Sequence, residues 1–260
     1  MDQKSLTREH AREIDSGQRF AFGKNWQNFV KRVDRSRLDA ARNSLTSMLE
    51  RSDLHDLDFL DIGSGSGLFS LAARSLGARV YSFDYDPQSV ASTLTLKQQY
   101  FEDDTAWHVE QGTVLDPNYL AQLGQFDIVY AWGMLHQTGN MWQAFDNIIP
   151  LVKDKGILFI SIYNDQGWKS RYWKGVKRWY NQHFVAKLVM ITAHLPLLAA
   201  RILVRALTGR LKLGRGMSLW HDYLDWLGGY PFEVARPEEI LDFSRKRGPV
   251  SYTHLTLPTN

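Results

Sequence analysis

Residues 59–70, FLDIGSGSGLFS, constrain the chain more than any other stretch. A short apolar run there ends in three glycines spaced two apart and is followed at once by a new apolar pattern. That order predicts a buried strand, a tight turn and a helix. Leu60 and Ile62 are placed to face a core, Asp61 to stand at the strand's end, and Gly63, Gly65 and Gly67 to let the backbone turn sharply and approach a ligand closely. The spacing is G-x-G-x-G with an acid before it, whereas a dinucleotide fingerprint needs its third glycine where Leu68 stands. The turn therefore predicts a nucleotide-like ligand other than a dinucleotide. Taken alone it also fits a purely structural strand-to-helix turn.

The residues that follow repeat the pattern. A helix over 68–76 should stop at Gly77, and 78–83 (ARVYSF) reads as a second strand ending in Asp84. An acid at that tip can accept hydrogen bonds from both ribose hydroxyls of an adenosine ligand. Asp86, just before Pro87, reads as the N-cap of the next helix. Further strands are expected at 106–110, 126–130 and 156–163, with a helix over 142–152. The loop 112–116 (GTVLD) is placed to meet an adenine through Thr113 and the Val114 backbone, although an ordinary turn fits it equally well. Strand and helix alternate throughout, so the fold class is α/β: a doubly wound, mainly parallel sheet with helices on both faces and ligands at the strands' carboxyl ends.

Two regions flank that core. Residues 5–50 carry apolar positions at helical spacing (Phe29, Val33, Leu38, Ala41, Leu45, Leu49), with an aromatic knot of Phe20, Phe22 and Trp26 placed to lid a pocket or to pack on the core. Residues 165–215 hold eleven lysines and arginines against Asp165 alone, in a chain whose total is only +3, so an acidic body carries a basic insert. Helices are expected over 168–180 and 184–207, with tryptophans among the basic residues. The insert suits contact with an anionic membrane, a cap over the pocket, a dimer face or merely a solvated helical surface. A last helix is expected at 237–246. The chain contains no cysteine, which excludes disulfides and thiolate metal sites. Its eight histidines lack paired metal spacing, and the first twenty residues lack the apolar core of a secretory signal, so no metal and a cytoplasmic location are expected.

With these motifs in hand, residues 56–165 resemble the class I S-adenosylmethionine-dependent methyltransferases: DIGSGSG as motif one, SFDYDP as the ribose motif, GTVLD as the adenine loop and FDIVYAWGMLHQTG as motif four. The flanks resemble a bacterial small-molecule subgroup similar to the quinol O-methylases. The resemblance implies a Rossmann-like methyltransferase sheet with S-adenosylmethionine as cofactor, held by Asp61, Gly63, Ser64, Gly65, Gly67, Asp84, Tyr85, Thr113, Val114 and Trp132. It implies methylation at O or C of a small, lipophilic or phenolic acceptor. Motif four lacks the Asn/Asp-Pro-Pro-aromatic run usual for exocyclic amines. His136 is the candidate base, standing where similar proteins read LHH; here Gln137 follows it. Trp26, Tyr163, Tyr223, Trp226 and Tyr230 are the candidate acceptor-pocket residues. A nucleotide-dependent oxidoreductase and a non-enzymatic methyltransferase-like binding protein are the alternative readings.

The expected organisation is an N-terminal helical cap (1–55), a cofactor-binding core (56–164), a basic aromatic helical insert (165–235), a return to the core (236–249) and a tail (250–260). The tail, VSYTHLTLPTN, reads like translated sequencing adapter. On that reading the sheet's last two strands are missing, which leaves strand five with a bare edge.

Overall fold

The computed structural model describes residues 3–207 and 219–247. The tail and any strand formed there lie outside the described residues, as do Arg210, Lys212 and Arg215 of the basic insert. Five strands form one wholly parallel sheet in the order β3-β2-β1-β4-β5: β1 (Asp58–Ile62), β2 (Arg79–Asp84), β3 (Trp107–Gln111), β4 (Phe126–Trp132) and β5 (Val152–Ser161). Parallel strands need crossovers. They are supplied here by α4 (Leu68–Ser75), α5 (Pro87–Tyr100), the short α6 (Pro117–Leu120) and α7 (Met141–Ile148), preceded by α1 (Gln3–Asp15), α2 (Gly23–Val30) and α3 (Arg35–Leu49).

The two-residue period of the strands divides the core. Phe59, Ile128, Tyr130 and Phe159 point to the side covered by α3 and α4. Leu60, Ile62, Val129, Ala131, Leu158 and Ile160 point to the side covered by α7 and by α11 (Pro237–Arg245). Apolar burial on both faces is why these strands read as continuous hydrophobic runs.

The insert forms α8 (Trp168–Gln182), α9 (Phe184–Leu207) and α10 (Leu219–Gly228), joined by a small core of Val176, Tyr180, Tyr223 and Leu227. Its neck is narrow. Asn164 and Ala235 form a parallel bridge, Asp165 N donates to the Ala235 carbonyl and Ala235 N donates to that of Tyr163.

Three expectations are corrected. The N-terminal region, expected helical over 5–50, is three helices with breaks at 16–22 and 31–34. Asp34 ends the second break by capping α3 through a bond from Arg37 N, and the first break is held open by tertiary contacts, Phe20 N donating to the Tyr230 carbonyl at 2.8 Å. The helix after β4 runs Met141–Ile148 and closes in a 3-10 turn through Pro150. Strand β5 accordingly starts at Val152, not 156, and ends at Ser161. Val152 pairs with Phe126 across a register shift, and Lys153 anchors the extension with ammonium contacts to Asp58 at 2.6 Å and Asp127 at 2.9 Å.

Candidate functional site

Strand β1 feeds α4 on one face of the sheet and β4 feeds α7 on the other, so the chain parts between them and opens a crevice at the strands' carboxyl ends. A cavity of about 1300 Å³ occupies this crevice and extends under the N-terminal helices to the insert.

The glycine turn forms one wall. Gly63 N and Ser64 N both donate to the Phe83 carbonyl, tying the turn to the end of β2. Gly67 has φ +78 at the start of α4, where a β-carbon would stand 2.8 Å from the Thr93 backbone; at Gly65 (φ +57) one would stand 3.2 Å from the Trp26 indole. Trp26 therefore sits over the glycine turn. Asp84 closes the corner. One carboxylate oxygen accepts from Gly65 N and the other from Asp86 N, both at 2.9 Å, which leaves each oxygen a further lone pair. Burial pushes its pKa up to about 7, with the nearby Asp86 charge adding to the rise against those two hydrogen bonds.

Asp61 lines the same wall but is almost wholly buried. The Ser70 hydroxyl donates to it, Ser82 donates to Ser70, and Trp107 Nε1 donates to Ser82. This chain fixes the carboxyl group, while burial raises its pKa to about 6. Asp86 caps α5 through Gln88 N, as the sequence predicts, and accepts a second bond from Gly23 N at 2.8 Å that fastens α2 to the sheet.

Tyr85, Thr113, Val114 and Trp132 also line the cavity. Tyr85 lies under the Arg19 guanidinium, 4.7 Å from its ring centre, and Trp132 stacks on Phe159 at 5.5 Å. At the insert end, Tyr163 and Trp226 contribute to the wall with ring centres 6.0 Å apart. Lys177 is buried beside them, donating to the Trp226 carbonyl beneath the faces of Trp226 and Phe232.

Four predicted residues stand apart from the cavity lining. Gly67 sits behind the turn. His136 is buried behind Tyr163, their ring centres 4.0 Å apart, and no hydrogen bond of ordinary geometry reaches its ring nitrogens. Burial, then the positive charge of Lys177, lowers its pKa to about 3, so it is neutral and weakly basic. Tyr223 docks the cap, its hydroxyl donating to the Ile191 carbonyl at 2.7 Å, and Tyr230 meets Phe20 through its backbone. Conversely, Leu6, Glu9, His10, Arg19, Met134 and Lys177 line the cavity without having been expected. Arg19 bonds Glu13 at 2.6 Å and the Gln137 carbonyl at 2.9 Å, a contact spanning more than a hundred residues of sequence that no local pattern announces.

A methyltransferase-domain family model matches residues 29–208, more than half of the chain. The chain belongs to that family. Among curated relatives of this chain, a ribosomal protein L11 methyltransferase of Prochlorococcus marinus is 34% identical over 113 residues, 43% of this chain and 36% of its own length. A ubiquinone biosynthesis O-methyltransferase of Rickettsia akari is 24% identical over 146 residues, 54% of this chain and 55% of its own length. The chain thus spans about half or less of the length of those relatives. A solved structure from Methanococcus maripaludis, assigned as an S-adenosyl-L-methionine-dependent methyltransferase, aligns over 90% of this chain and 87% of its own with a TM-score of 0.51 at 12% identity, a likeness of fold.

Proposed function

We propose that this methyltransferase uses S-adenosylmethionine to methylate, at oxygen or carbon, a small acceptor that is lipophilic or phenolic. The observation that carries the reading is a cavity with the glycine turn and Asp84 at one end and Tyr163 and the insert's Trp226 at the other.

The residues present fit the cofactor. Asp84 offers two oxygens fixed by backbone N–H groups for vicinal ribose hydroxyls, the turn from Gly63 to Gly65 brings bare backbone to the cavity wall, and Thr113 and Val114, which line the same cavity, would meet the base. When bound, the sulfonium supplies an electrophilic methyl group. The chain's own task is alignment and exclusion of water: Trp26, Phe20 and Phe22 roof the cavity, while Tyr163 and Trp226 give an acceptor apolar faces to stack on. A neutral His136 shielded from the cavity supports a positional role behind Tyr163 rather than proton removal.

The test is incubation of the full chain with S-adenosylmethionine and a panel of quinols and phenols, beside ribosomal protein as a macromolecular arm, read by mass spectrometry. A methyl gain on a small acceptor is expected. A gain on the protein arm alone would overturn the acceptor class, and reduction of a substrate with NADH would overturn the reaction.

A further inference from the structure

Large apolar side chains are exposed at twelve described positions, and eleven of these lie on α8 and α9; the other is Leu94. Such concentration marks an interaction surface rather than the scattered exposure normal for a soluble domain. The inner face of α8 is spent on Val176, Lys177 and Tyr180, which are buried, while Trp168 and Trp179 on its outer face are 66% and 60% exposed. On α9, His194 is buried with its ring bonded to the Tyr172 hydroxyl, and Met190 and Ile191 pack on the cap core. Phe184, Leu188, Leu195, Leu203 and Leu207 stand exposed at helical spacing, with Phe184 at 85%. The stripe runs the length of a 24-residue helix, roughly 36 Å.

Charge selects the occupant. Between positions 168 and 207 the sequence has eight lysines and arginines and neither aspartate nor glutamate, and Lys169, Arg171, Lys174, Arg178 and Lys187 are exposed. A second copy would set like charges against each other, and a nucleic acid would leave a valine and leucine surface in water. An anionic bilayer satisfies both halves of the face, and tryptophans at the boundary are the side chains that suit its interface. No helix of the described residues is long and apolar enough to cross a membrane, so contact is lateral.

We infer that the outer face of α8 and α9 docks on an anionic lipid bilayer, with Trp168, Trp179 and Phe184 entering the headgroup region. The inner face of the same helix α8 borders the cavity through Lys177, so docking sets the insert end of the cavity one helix thickness from the lipid. The docking stands on the exposed face itself. Only the corollary, that a lipophilic acceptor arrives from the bilayer, rests on the function proposed above.

The experiment is co-sedimentation of the full chain with vesicles of phosphatidylcholine alone and of equal parts phosphatidylcholine and phosphatidylglycerol. Strong, salt-weakened binding to the anionic vesicles is expected. Phe184→Ser combined with Leu188→Ser should reduce that binding about tenfold or more, with the circular-dichroism melt and the affinity for S-adenosylhomocysteine unchanged. Equally weak binding to both vesicles, or a double variant that binds as the parent does, overturns the inference. So does a dimer that the double variant converts to monomer, or competition in which an oligonucleotide wins the face from the vesicles. Failure to bind S-adenosylhomocysteine with vesicle binding intact would instead count against the proposed function.

Discussion

Asp84 holds a proton more tightly than a surface carboxylate, and this couples ligand binding to pH. Its folded-state pKa of about 7 lies above the ordinary 3.8, so the free protein's stability contribution from this group is fully present below the carboxylate range and is lost as pH rises through about 7. On the proposed ribose role, ligand binding runs the other way, because accepting two ribose hydroxyls needs the ionised form. Affinity for S-adenosylhomocysteine, measured by calorimetry, should therefore fall by about tenfold between pH 8 and pH 6, with proton release on binding at the lower pH. Asp84→Asn should flatten that dependence and cost at least about tenfold in affinity at pH 8, the loss of charge-assisted bonds. A parent protein with pH-independent affinity would contradict the ribose role. The acid was legible in the sequence because it ends an apolar strand and precedes Asp-Pro. The rise in its pKa was not, since the shift arises from burial.

At the scale of elements, the turn between β1 and α4 and the strap at 16–22 hold the cavity together. Gly67→Ala places a methyl group 2.8 Å from the Thr93 backbone at a positive φ, and should destabilise the fold by about 1–3 kcal/mol in urea denaturation. Arg19 fastens the strap to Glu13, to the Gln137 carbonyl and to the face of Tyr85. Arg19→Ala should weaken S-adenosylhomocysteine binding several-fold while leaving the melt within a few degrees, because the strap orders Tyr85 and not the sheet. Long apolar helices such as α9 were legible, its start at Phe184 included. The start of β5 was not: VKDK carries no apolar alternation and becomes strand because Lys153 finds Asp58 and Asp127, partners 95 and 26 residues away. Likewise Lys177 and Arg19 reach the cavity only through packing of the insert and N-terminal helices, which no local spacing encodes.

For the whole molecule, a ligand that binds only the folded state must raise its melting temperature. S-adenosylhomocysteine at a hundred times its dissociation constant should add about 2.7 kcal/mol, which for a chain of this size is roughly 5–10 °C. NADH at the same concentration should leave the melt unchanged; an equal rise with NADH would favour the oxidoreductase reading.

The neck of the insert carries a further consequence. Tyr163, Asp165 and Ala235 are joined by backbone hydrogen bonds, so the chain leaves the core at 165 and rejoins it at 235 side by side. Closing such a loop costs free energy that grows only logarithmically, about 0.6 kcal/mol for each doubling of its length. The length of chain spliced there therefore costs the sheet little. An insert of another length joined at this neck would change what the far end of the cavity admits and leave the glycine turn and Asp84 in place.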